Sequence, residues 1–268
     1  MIDSHQHFWQ VGRFDYPWMS DGILCRDYLP SNLAPIIQTN RTVLVQASNS
    51  VAESRWLLEL AKANNFIAGV VGWVDLTNPD PQLDELCADP KFKGVRHLVE
   101  SEPVDDWLIQ PAVLSGLKQL SARGLSYDLL VHTRHLKHVP LIAESCPDLA
   151  LVIDHLAKPP IARNEIKEWS QALQPLARYP NVYAKLSGLV TEANWSSWQT
   201  DDLRPYVDVA LESFGADRIM FGSDYPVCLL AASYDRVLDS FQEILKSLSD
   251  ADRDKIFAET AEKFYRLN

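Results

Sequence analysis

Short runs dense in Val, Ile and Leu alternate along this chain with stretches whose apolar residues recur every three or four positions. The runs Met1–Ser4, Thr42–Ala47, Ile67–Val74, Gly94–Val99, Tyr127–His132, Ala150–Asp154, Val182–Ser187 and Arg218–Gly222 read as strands. Most are apolar on both faces, as parallel strands covered on each side must be. Helical periodicity predicts helices over Ala52–Asn64, Ala112–Arg123, Glu165–Tyr179, Asp201–Phe214 and Tyr234–Leu248. Shorter helices are expected at Asn32–Thr39, Gln82–Ala88 and His138–Ser145, and a closing one near Arg253–Tyr265. Gly124, Gly215 and Pro180-Asn181 supply stop signals where the pattern needs them. Eight strand–helix units predict an α/β fold of the (β/α)8 barrel type, a single domain over residues 1–268. A doubly wound open sheet is the alternative, but no glycine-rich phosphate loop follows any strand. The connection Phe8–Asn32 is long and aromatic, with Trp9, Phe14, Tyr16, Trp18 and Tyr28, and reads as a wall over the barrel mouth or as a packing loop.

Composition narrows the partners. Hydrophobic residues make up 47% and charged residues 23% of the 268, which excludes a disordered chain. A net charge of −11 argues against nucleic acid or an anionic membrane as the main partner and leaves a small molecule. The opening MIDSHQHFWQ carries no basic-then-apolar pattern, so a cytoplasmic location is expected. Cys25, Cys87, Cys146 and Cys228 are scattered without a CxxC pair, which points away from a disulfide framework or a zinc ribbon. Oligomeric state is not legible.

In a barrel of this kind, side chains at the carboxyl ends of the strands share one cavity. The first strand runs into Asp3-Ser4-His5-Gln6-His7, and period-two alternation puts His5 and His7 on one side. The sixth ends Ile153-Asp154-His155 and the eighth Phe221-Gly222-Ser223-Asp224. Three imidazoles and a carboxylate at strand ends form a plausible N/O set for Zn²⁺ or a similar divalent ion. Read singly, the strand-one histidines are loop residues, His155 a satisfied core histidine and Asp224 a turn residue; together these readings need four coincidences. At the end of the fourth strand either Arg96 or His97 faces the cavity, His97 as substrate donor or oxyanion stabiliser and Arg96 as substrate contact or structural ion pair. His132 is an additional ligand or an exposed residue. Gln46, Trp73 and Lys158 suit contacts to hydroxyls and a ring face, with plain packing the competing role for Trp73. His135 and His138 read as solvated helix-start residues.

The segments IDSHQHFW, VLVQAS, GVVGWVDL, FKGVRHLVESEP, YDLLV, LVIDHLAKPPI, NVYAKLSGLVTEA and RIMFGSDYPVC resemble the amidohydrolase superfamily. The likeness runs over nearly the whole chain and is to the branch of metal-dependent TIM-barrel hydrolases that includes sugar lactonases, most of all the L-fuconolactonase group. It implies that His5, His7, His155 and Asp224 occupy the metal and catalytic positions, with one divalent ion, zinc by ligand type. It implies a lactone-opening hydrolase in which Asp224 takes a proton from water and returns it to the leaving oxygen, assisted by His97 or Arg96. The chain departs from many superfamily members in having His97, rather than a bridging Lys, at the end of the fourth strand, so a binuclear centre is not expected. A metal-dependent non-oxidative decarboxylase and a catalytically silent binding barrel are the competing functions.

Overall fold

A computed structural model describes residues 1–267. Eight parallel strands follow one another in chain order: β1 (Ile2–Gln6), β2 (Arg41–Val45), β3 (Ile67–Gly72), β4 (Phe92–Leu98), β5 (Ser126–Leu130), β6 (Ala150–Ile153), β7 (Val182–Leu186) and β8 (Ile219–Phe221). The barrel closes just past the strand ends. Gln6 bridges Tyr225, the Asp224 amide donates to the His5 carbonyl at 2.8 Å, and the His7 amide donates to Tyr225 O at 2.7 Å. This is the (β/α)8 barrel that the alternating pattern predicts.

Helices Val51–Ala63, Pro111–Ala122, Thr200–Phe214 and Tyr234–Leu245 pack their apolar stripes on the strands. Their starts are set locally. Ser50 accepts from the Glu53 amide and Ser233 from the Arg236 amide, satisfying amides that have no partner within the helix. Pro111 opens its helix, where its missing N–H costs nothing. The helix expected over Glu165–Tyr179 is instead Lys167–Leu173 followed by a tighter turn over Gln174–Arg178. Pro175 cannot donate the amide that would carry the helix through. The segment expected over Asn32–Thr39 shrinks to a single turn at Pro30–Leu33.

A second apolar cluster fills the barrel itself. Ile2, Val43, Val71, Val152 and Met220 meet Phe264 and Tyr265 from the helix Thr260–Tyr265, which plugs the barrel interior. Above this plug the interior turns polar, and the site begins. No helix among the described residues is long and apolar enough to cross a membrane.

Candidate functional site

His5 stands within β1, and His7 follows it by two residues on the same side. The backbone pairing of residues 5–7 with 224–225 brings Asp224 alongside both. His7 Nε2 is 3.3 Å from Asp224 Oδ1 and 3.1 Å from His5 Nε2, and His5 Nε2 is 3.7 Å from the same carboxylate oxygen. His155 comes from across the mouth, its ring centroid 4.6 Å from that of His5. Ligand atoms of His5, His155 and Asp224 lie within 4.8 Å of one another, and all three residues are buried.

Local backbone chemistry explains how His155 arrives there. Residues His155, Leu156, Ala157 and Lys158 all have positive φ, between 50° and 60°, forming a left-handed turn directly after β6. Such a conformation costs roughly 1–2 kcal/mol per residue with a Cβ, so the surroundings must hold it. Trp169 Nε1 donates to the Leu156 carbonyl at 2.6 Å, and His155 Nδ1 meets Ser187 Oγ at 2.9 Å. Beneath the ring lies Gly188, at φ +63°. A Cβ there would fall 2.4 Å from His155 Nδ1, so glycine is required both by the backbone and by the approach of the imidazole.

The donor set fits a cation. His7 Nδ1 is 2.8 Å from the Val45 carbonyl, which can only accept, so this nitrogen carries the proton. In the neutral ring Nε2 is then a bare lone pair facing Asp224 Oδ1. A bound cation, or a second proton on His7, relieves that opposition. Ligands about 2.0–2.2 Å from one tetrahedral ion stand about 3.3–3.6 Å apart, close to the separations between His7 and its two neighbours. Burial pushes the His5 and His155 imidazoles below their ordinary pKa and so favours the neutral, ligating form. Burial acts in the opposite sense on Asp224, but His155, His7 and His5 more than offset it and hold the carboxyl well below the usual carboxylate range.

Behind these residues is a layer of buried charge that the strand-end reading missed. Lys185 Nζ reaches Asp128 Oδ2 at 2.6 Å, Asp154 Oδ1 at 3.0 Å and His5 Nδ1 at 3.1 Å. Arg96 Nη1 lies 3.2 Å from Asp154 Oδ2 and 3.3 Å from His5 Nε2. Burial would raise the Asp154 carboxyl, but Lys185, His5 and Arg96 hold it well below its ordinary value. The signal was present in the sequence: Asp128 and Lys185 are charges inside otherwise apolar strands, where an unpaired charge is not tolerated.

A cavity of about 270 Å³ opens over the cluster, lined on one side by His7, His155 and Asp224. Arg96, Lys158 and Glu100 supply further polar wall, while Trp18, Leu98 and Leu130 supply apolar wall. The structure therefore brings Arg96 and Lys158 to the cavity and leaves three expected residues away from it. His97 alternates to the other face of β4, stacked on Trp107 at 3.8 Å, accepting from Trp73 Nε1 at 3.0 Å and meeting Glu102 Oε1 at 2.7 Å. It braces the segment after β4 and does not line this cavity. Trp73 is committed to His97 in the same way. Gln46 is buried behind Arg96, accepting from its Nε at 3.0 Å, and positions the guanidinium without reaching the cavity. His132 stands outside the histidine cluster, its Nε2 3.9 Å from Glu100 Oε2. His135 and His138 are buried rather than solvated, against Asp105 and Asp106. The Phe8–Asn32 connection serves both proposed ends: Trp9 and Tyr28 are buried in it, and Trp18 lines the cavity with Nε1 donating to Ala47 O at 2.7 Å.

A family profile described as amidohydrolase matches residues 2–267. The chain belongs to the amidohydrolase family. This amidohydrolase is 39% identical over 280 residues to an L-fucono-1,5-lactonase of Burkholderia ambifaria, covering 100% of this chain and 96% of that one. It is 41% identical to an L-fucono-1,5-lactonase of Burkholderia multivorans, with 99% and 96% covered. Among solved structures it resembles a Burkholderia multivorans amidohydrolase crystallised with bound zinc, at a TM-score of 0.94 and 40% identity, with 100% and 99% covered.

Proposed function

We propose that this amidohydrolase opens a lactone ring, with a sugar lactone of the L-fucono-1,5 type as substrate. The observation that carries the reading is the convergence of His5, His7, His155 and Asp224 under a cavity, in a chain similar over its full length to two L-fucono-1,5-lactonases. Those relatives favour lactone hydrolysis over the decarboxylase alternative. The binding-barrel alternative is disfavoured because His5, His7, His155 and Asp224 are all present and drawn together.

His5, His7, His155 and Asp224 would hold one divalent ion, zinc by the nature of the donors. When bound, such an ion supplies positive charge that acidifies water and polarises a carbonyl. Asp224, ionised throughout the neutral range, accepts a proton from the attacking water as its oxygen bonds to the lactone carbonyl carbon. The bond from that carbon to the ring oxygen then breaks, and Asp224 returns the proton to the departing oxygen, leaving a hydroxy acid. Arg96 is fixed for this step. Three of its five donor hydrogens are engaged by Gln46 and Asp154, which holds the guanidinium in place and leaves N–H groups for charge developing on the carbonyl oxygen.

The test is direct. Zinc-loaded protein is mixed with L-fucono-1,5-lactone and acid release is followed with a pH indicator against the spontaneous rate. Acid release that depends on the protein is expected. No acceleration with zinc or manganese supplied, together with carbon dioxide release from 2,6-dihydroxybenzoate, would replace this reading by the decarboxylase.

A further inference from the structure

Two charged groups on the cavity wall take no part in moving the water proton. Glu100 lies in the turn Val99–Ser101 that follows β4, and Lys158 closes the left-handed turn that begins at His155. Their side chains are 20% and 21% exposed, and Lys158 Nζ is in ion contact with Glu100 Oε2. The contact joins the ends of β4 and β6 across β5. Beside it, Leu98 and Leu130 are register partners at the ends of β4 and β5 and give the same wall an apolar strip.

An ammonium offers three donors and a carboxylate about four lone-pair sites, so one mutual contact leaves most of that capacity unused. The other ionic contact of the pair is His132 Nε2, 3.9 Å from Glu100 Oε2 and too far for a hydrogen bond, so most of that capacity faces the cavity rather than other protein groups among the described residues. Stability alone does not account for the arrangement. A partly exposed ion pair contributes little, so stability gives little reason to place one on the cavity wall. The pair also cancels its own charge, so the wall presents fixed donors and acceptors without drawing in anions.

We propose that the Glu100–Lys158 pair recognises adjacent hydroxyls of a polyhydroxylated lactone, Lys158 donating to one oxygen while Glu100 accepts from its neighbour's O–H. Leu98 and Leu130 take the C–H side of the ring. The inference rests on the lactone-opening reading above and adds the element that selects among lactones.

The measurement is kcat/KM for L-fucono-1,5-lactone and for δ-hexalactone, which has the same ring and methyl group and no hydroxyls. Each value is normalised to the spontaneous rate and taken for the wild type, Glu100→Gln and Lys158→Met. The wild type is expected to prefer the hydroxylated lactone by at least about 100-fold, because a site built around hydroxyls rejects a substrate lacking them. Each variant should lower that preference at least about tenfold, chiefly through KM for the hydroxylated lactone. An unchanged preference, or equal losses on both substrates, overturns the proposal. Equal opening of both lactones by the wild type overturns it while leaving lactone opening intact, whereas a wild type that opens neither refutes the underlying reading. Should one variant fail to fold by circular dichroism, the other decides.

Discussion

Asp224 carries two duties, facing His7 and His5 through one oxygen while remaining ionised at any working pH. Replacing it by Asn keeps the shape and removes both the charge and the basic site. Asp224→Asn is expected to lower kcat by roughly 10²–10⁴-fold with an unchanged far-ultraviolet circular dichroism spectrum; turnover within tenfold of wild type would remove Asp224 from its role. Gly188 is a second sensitive point. Gly188→Ala forces a left-handed backbone on alanine, at roughly 1–3 kcal/mol, and drives the His155 ring away. Zinc affinity, measured by competition with a chromophoric chelator, should fall at least about tenfold; affinity equal to wild type would exclude His155 as a ligand. At this scale the sequence was legible where a residue type and a strand end coincide. His5, His7, His155 and Asp224 are each polar groups at the end of an apolar run, and the fold turns that placement into proximity. Glu100 left no such mark, because a loop carboxylate looks like any solvated one. Arg96 and His97 are neighbours, and choosing between them needs the phase of the strand, which composition does not carry.

Single elements aim groups that lie outside them. β4 sends Arg96 and Leu98 inward and His97 outward, and the outward histidine braces Trp73, Glu102 and Trp107 around the segment that bears Glu100. The helix Val51–Ala63 plays a similar part at the end of β2. Its Glu53 Oε2 accepts from the Ala47 and Ser48 amides at 3.0 and 2.8 Å, fixing the backbone that receives Trp18 Nε1. Burial pushes the Glu53 carboxyl up to about 7 from an ordinary 4.5, although those amides and Tyr16 pull the other way. Between these two values the native protein holds a proton that the unfolded chain has released. The contribution of Glu53 to stability is therefore full below pH 4.5 and is lost as the pH rises toward 7. Glu53→Gln can keep the two amide contacts through its carbonyl oxygen without titrating. Urea denaturation of the variant should show a weaker fall in stability between pH 5 and 7 than wild type, and parallel pH profiles would disprove the assignment. The boundaries that the sequence missed also belong to this scale: Pro175 broke a helix whose periodicity continued beyond it, and the left-handed turn after β6 has no hydrophobic signature.

For the molecule as a whole, the barrel interior has two halves with opposite solvation needs. The lower half is apolar, closed by Phe264 and Tyr265, and the upper half carries Lys185, Asp128, Asp154 and Arg96. The two meet where the Tyr265 hydroxyl donates to Asp128 Oδ2 at 2.6 Å. Phe264→Ala empties part of the plug and should destabilise the fold by about 3–5 kcal/mol in urea denaturation, while a loss under 1 kcal/mol would show the helix to be dispensable. The eightfold alternation of strand and helix made this architecture legible from the chain; Asp128 and Lys185 stood out as charges in apolar strands, but which groups they pair with did not, because pairing across a barrel depends on register between strands. The seam between β1 and β8 has a further consequence for how the protein is made. His7 and Asp224 are 217 positions apart, so a ribosome has translated both ends of the barrel before the two can touch. Completion of the ligand set would therefore be a late event in biogenesis: a nascent chain that stops short of β8 carries His5, His7 and His155 but lacks the Asp224 carboxylate that joins them.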